Sequence, residues 1–169
     1  MLLFLFAVAS VAEAQAASPA DMISDFRVRH GEGRVVTDNT LNHVAREQAT
    51  AMAAKDVLDH SVLGPFGGRI APAGASNAAE NIAYGYDTFA KTLNQWINSP
   101  GHRQNLLMHG ATRVGVASAK STSGRTYWAM AIAGGYERPQ AANAKSSRPK
   151  KTKDHASPAC RIKILQLCL

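Results

Sequence analysis

The stretch Trp96-Ile97-Asn98-Ser99-Pro100-Gly101-His102-Arg103-Gln104-Asn105-Leu106-Leu107 carries most of the information in this chain. Upstream of it, Phe89, Leu93, Trp96 and Ile97 fall on one stripe and predict a helix that starts near Thr88. Ser99-Pro100-Gly101 interrupts that helix and predicts a cap for a short second one, reaching Leu107. His102 then sits near a helix N-terminus, where the backbone dipole disfavours an imidazolium and keeps the ring neutral. Neutral imidazole is the state a metal ligand or general base needs, and equally the state of a histidine packed in a core.

Working backwards, Ala79-Glu80-Asn81-Ile82-Ala83-Tyr84-Gly85 and Leu58-Asp59-His60-Ser61 are the other two stretches with chemical content. His60 follows a predicted helix that opens at Asp38-Asn39-Thr40, with Leu41, Val44, Ala45, Gln48, Ala51 and Met52 at helical spacing. An earlier helix is signalled by Ser18-Pro19-Ala20-Asp21, with Ile23 and Phe26 as its apolar face and Gly31 as a stop. Between Ser61 and Asn77 the chain is rich in Gly, Pro and Ala and reads mostly as loop. Working forwards, the period changes. Val114-Gly115-Val116-Ala117 and Tyr127-Trp128-Ala129-Met130-Ala131-Ile132 read as strands, joined by a hairpin loop over Lys120–Arg125. Helices followed by a hairpin imply an α+β fold.

The ends of the chain differ from its body. Residues 1–17 contain an apolar run from Leu2 to Val11 and then Ala-Glu-Ala and Ala-Gln-Ala, the pattern of an export signal cleaved at Ala14 or Ala17. No Lys or Arg precedes Arg27, so the natural start is expected upstream. The body is expected over residues 18–139. The net charge of +7 is concentrated in residues 140–169, which hold seven Lys/Arg against one Asp. This segment reads as a flexible basic tail able to contact anionic surfaces. It lacks aromatic interleaving, so no specific nucleic-acid binding is expected. Cys160 and Cys168 both lie in it. A helix would hold them ~12 Å apart, so a disulfide there requires a turn. No transmembrane helix is expected after signal cleavage.

Taken in order, these motifs resemble the bacterial members of the CAP superfamily (cysteine-rich secretory proteins, antigen 5 and pathogenesis-related-1 proteins). Those proteins carry a His after the second helix, then Glu-Asn-Ile-Ala-x-Gly. Next come Trp-x-x-Ser-x-Gly-His-Arg-x-Asn-Leu/Ile-Leu and a Gly-Val strand, which Gly115-Val116 matches here. Arg69 and Tyr127-Trp128 also fit, and the resemblance spans about residues 19–135. It implies an α-β-α sandwich, helices around a small antiparallel sheet, with a cleft of two histidines and acidic residues that in many relatives holds zinc or another divalent cation. His60, Glu80 and His102 match the cleft's first His, first Glu and second His. The second Glu is replaced by Ser99, a departure that implies weak metal binding. Two imidazoles and a carboxylate are a known zinc set, with water completing the shell.

For these residues the plain alternatives are structural. His60 could cap a carbonyl after its helix, and Glu80 and Asn81 could cap a turn. Asn81 and Asn105 read as structural hydrogen-bonders, and Trp96 and Trp128 as core. Ser61 and Ser99 stand near histidines but match no nucleophile arrangement. The expected function is a secreted or periplasmic binding module for a lipid, glycan or protein ligand. One alternative is a metal-assisted hydrolase, with Glu80 and His102 as its catalytic groups. The other is a structural envelope protein tethered by its basic tail.

Overall fold

A computed structural model describes residues 16–135. The predicted signal, apart from its last two residues, and the tail with Cys160 and Cys168 lie outside them. Among the described residues no helix is long and apolar enough to cross a membrane.

The first helix, α1 (Pro19–Val28), begins as its sequence dictates. Ser18 Oγ accepts from the Asp21 N–H, and Pro19 stands where no donor is needed. A two-residue strand, β1 (Val36–Thr37), leads to α2 (Asn39–Lys55), whose N-cap Asp38 accepts from the Leu41 N–H. Its buried side is Leu41, Val44, Ala45, Gln48, Ala49, Met52 and Ala53, and Ala51 is half-exposed. The Gly/Pro-rich stretch is not simply loop: it contains α3 (Phe66–Ile70) and a 3-10 turn over Ala71–Ala73. Next comes a strand that the sequence reading had not assigned, β2 (Asn77–Tyr84). Then α4 (Phe89–Asn98) starts at Thr88, and α5 (Pro100–Leu106) follows Ser99 directly. Ser99 occupies the N-cap position, but its side chain makes no capping bond, so Pro100 alone marks the start. The hairpin is β3 (Ala111–Lys120) and β4 (Thr126–Gly134).

The strands lie in the order β1-β3-β4-β2. β4 is antiparallel to both neighbours, and β1 runs parallel to β3, so the sheet is mixed rather than antiparallel as expected. Successive residues of β4 point to opposite faces. Tyr127 and Ala129 meet Ala45, Ala49 and Met52 of α2, and Ala131 and Ala133 meet Leu41 and Val44. Met130 and Ile132 meet Ile23, Phe26, Leu93, Trp96 and Leu106 from the helices of the other layer. The result is the expected α-β-α sandwich.

Small residues let α2 lie close to the sheet. A Cβ at Gly115 would collide with the backbone of Leu41 and Asn42. At this point Asn42 Oδ1 accepts from the Val116 N–H at 3.0 Å, locking the start of α2 to β3. On the opposite layer Arg27, fully buried, donates to the carbonyls of Gly33, Leu106, Met108 and Ala111. It thereby satisfies the carbonyl end of α5 and ties it to α1.

Candidate functional site

The edge strand β2 organises the site, because its pleat sends Glu80 and Asn81 to opposite sides. Glu80 faces the α2 side, with its side chain 3% exposed. Arg69, delivered by α3, meets it with two forked bonds, Nη1 to Oε2 at 2.7 Å and Nη2 to Oε1 at 3.0 Å. A planar guanidinium matches a carboxylate in this way, and such forked pairs are the strong, charge-assisted kind. His60 Nδ1 completes the set at 2.8 Å from Oε1. A carboxylate facing a guanidinium can only accept, so Nδ1 carries the proton and Nε2 is left free on a ring whose side chain is 54% exposed. The loop bearing His60 is held by buried Gln48, whose amide donates to the Asp59 carbonyl at 2.8 Å.

Asn81 points the other way, towards α4 and α5, and is fully buried. Its amide donates to the His102 carbonyl at 3.0 Å, and its Oδ1 accepts from Asn105 at 2.9 Å. Asn105 also donates to the Glu80 carbonyl, and the Trp96 indole to that of Ile82. These bonds cover outward-facing backbone of an edge strand that would otherwise invite pairing. Both asparagines and Trp96 have the structural roles expected of them. Trp128 is partly buried against the same layer, its indole bonded to the Tyr86 carbonyl.

His102 lies on this second side, without a hydrogen bond to Glu80 or His60. Its Nδ1 is buried and has no partner. Burial, and secondly repulsion from His60 when that ring is protonated, hold its pKa below the ordinary histidine value. Both favour the neutral ring, and both come from tertiary surroundings rather than from the helix start invoked from sequence. It lines a groove of about 460 Å³ with Leu58, Ile82, Ala83, Tyr84, Gly85, Tyr86 and Gln95. A second hollow of about 450 Å³ adjoins it, sharing Tyr86 and Gln95 and adding Lys91, Asn94, Asn98 and Ser99.

The three residues singled out from sequence thus divide into a bonded pair, His60 and Glu80, and a His102 that bonds to neither. Among the described residues no group of three or more His, Cys, Asp and Glu is placed to hold a metal ion. Both oxygens of Glu80 are already committed to Arg69 and His60. A metal taking Glu80 as a ligand would compete with the Arg69 guanidinium for the carboxylate, and His102 is not grouped with the pair, so the donor set in this arrangement does not fit a three-ligand zinc centre. For the same reason Glu80 is poorly placed as a general base.

Sequence reasoning missed Arg69 as Glu80's partner, and it missed Tyr86 and Gln95 altogether. An Arg in a Gly-rich segment ahead of a buried-strand Glu was the available signal for the first. Tyr86 and Gln95 carried none, because each lies near a motif without belonging to it.

Known proteins share this architecture. The model of the CAP family, the cysteine-rich secretory protein family, matches residues 20–132. The YkwD protein of Bacillus subtilis (strain 168) is 34% identical over 102 residues, which is 57% of this chain and 39% of that protein. The membrane protein YlbC of the same organism is 30% identical over 100 residues, 57% of this chain and 29% of its own length. The chain therefore spans well under half the length of these relatives. Among solved structures, an extracellular protein containing an SCP domain from Bacillus anthracis aligns with a TM-score of 0.61 at 26% identity, over 69% of this chain and 39% of that one. An outer surface protein from Borrelia burgdorferi also gives 0.61, at 22% identity over 67% and 86% of the two chains, a likeness of fold.

Proposed function

The chain belongs to the CAP (cysteine-rich secretory protein) family, and from that premise we propose that it is a binding module working outside the cytoplasm, in a secreted or periplasmic setting. The groove beside β2 holds the ligand, which is a lipid, a glycan or a protein segment. One observation carries this reading: both oxygens of the carboxylate at the centre of the motifs are bonded to Arg69 and His60. Held in this way, Glu80 is engaged as a structural carboxylate and is poorly placed to take a substrate proton. His102 contributes as a neutral lining residue. The hydrolase alternative needs Glu80 released from Arg69, and the tethering alternative rests on the basic tail alone.

The test is amide NMR on the full chain, titrated in turn with a neutral oligosaccharide, a short-chain phospholipid and an extended peptide. The expected result is saturable shifts confined to Leu58, residues 82–86, Gln95 and His102 for one of the three. Turnover of any of them that Glu80→Gln abolishes, in a variant still folded by circular dichroism, would replace this reading with the hydrolase.

A further inference from the structure

We infer that the Arg69 guanidinium is this chain's own substitute for a divalent cation: it fills the place where the Glu80 carboxylate, His60 and two loop carbonyls converge, and so keeps that place from a metal. This goes beyond the binding reading and does not depend on what the groove holds.

The acceptors around Arg69 carry the argument. Nη1 and Nη2 take the two oxygens of Glu80, and Nη2 also donates to the His60 carbonyl at 3.0 Å. Nε reaches the Gly64 carbonyl at 3.5 Å. One group thus gathers a carboxylate and two main-chain carbonyls, the oxygen ligands that a hard divalent cation takes. The His60 ring adds Nδ1, 2.8 Å from Glu80 Oε1. That nitrogen donates to the carboxylate here, and it becomes a ligand on losing its proton. The loop turns further carbonyls to donors of α2, Asp59 to the Gln48 amide and Val62 to Lys55 Nζ at 3.2 Å.

A countercharge at this point is obligatory, because an ionised carboxylate as buried as Glu80 is costly without one. A free ion would supply it only when the medium holds enough of that ion. A guanidinium tethered to the chain is present at all times. Two further features suit a planar organic cation: the forked edge presented to Glu80, and the Phe66 ring 5.3 Å from the guanidinium carbon. No residue of α3 is fully buried, so Arg69 is also the charged anchor of this segment on β2.

The experiment melts the full chain, wild type and Arg69→Ala, in EDTA, in millimolar zinc and in millimolar calcium. Zinc tests a site that uses the His60 nitrogen, and calcium a site of oxygens alone. The wild type is expected to melt at one temperature in all three. Arg69→Ala should melt lower in EDTA and regain about 5 °C or more with one of the two ions, the scale of a site filled well above its dissociation constant. If Arg69→Ala is unfolded in EDTA, recovery of its far-ultraviolet circular dichroism on adding either ion reads the same response. Glu80→Gln placed in the Arg69→Ala background should abolish that response, because the carboxylate that needs a cation is gone. A wild type that responds as strongly as the variant overturns the inference, since the ion then requires no departure of Arg69. An Arg69→Ala chain that neither ion moves overturns it too, leaving Arg69 as an ordinary ion pair. So does a response that survives Glu80→Gln, which places the ion elsewhere.

Discussion

The two sides of β2 are built by opposite rules. On the α2 side Glu80 is buried with both oxygens bonded, and the cluster of Arg69, His60 and Glu80 closes on itself. Gln48 Oε1 is unpartnered there, and it lines no described hollow. On the α4/α5 side His102 Nδ1 and Gln95 Oε1 are buried and unpartnered, in residues that line a groove. Glu80 and His60 are engaged with Arg69, whereas His102 and Gln95 line open space.

The contrast between the two sides breaks most forcefully at Arg69. Arg69→Met leaves the Glu80 carboxylate buried without its cation, an expected loss of about 3–5 kcal/mol in urea unfolding. Pairing it with Glu80→Leu should restore most of that loss. If Arg69→Met alone costs under about 1 kcal/mol, the pair is not the structural unit described.

Asn81→Ala should cost about 1–3 kcal/mol, because it leaves one Asn105 amide N–H and the His102 carbonyl without their partner. The accompanying chemical-shift changes should concentrate in α5. Changes of equal size in α2 would mean that Asn81 does not hold α5 specifically.

His102 provides a pH test. Its folded pKa lies below the ordinary value of about 6.5, so the unfolded chain binds the proton more readily. Its contribution is complete above about pH 6.5 and is lost as pH falls from there towards the folded value. His102→Asn should flatten the fall in stability across that window. An identical slope in the variant would show that His102 is as solvated folded as unfolded.

Gln95→Met exchanges an unpartnered amide for a thioether of similar length. It should leave stability unchanged or raise it by up to about 1 kcal/mol, which thermal unfolding reads. Smallest of all is the response to zinc. Equimolar zinc should leave the melting temperature of the full chain unmoved. A micromolar affinity abolished by both His60→Ala and His102→Ala would show that the trio shares an ion after all.

Some elements were legible because the rules that make them are local. Ser18, Asp38 and Thr88 each accept from a backbone N–H at a helix start, as their positions implied. The apolar spacing of α2 and α4 and the hairpin of β3 and β4 follow directly from helical and strand periods. β2 was not legible. Its run Asn-Ala-Ala-Glu-Asn-Ile-Ala-Tyr shows no apolar/polar alternation, because one face meets Arg69 and α2 and the other meets Asn105 and Trp96. Polar residues on such a strand are satisfied by distant partners that no local pattern announces.

The sequence by itself determined the family, the helix starts and the hairpin. These depend on dihedral preferences, capping bonds and motif order within a few residues. The tertiary structure alone decided that Glu80 belongs to Arg69, that His102 stays unbonded to the His60–Glu80 pair, and that Gln95 and Tyr86 join two hollows. Those outcomes turn on a strand pleat and on side chains brought together from distant parts of the chain. Whether a buried polar atom finds a partner is settled only when every neighbour is in place.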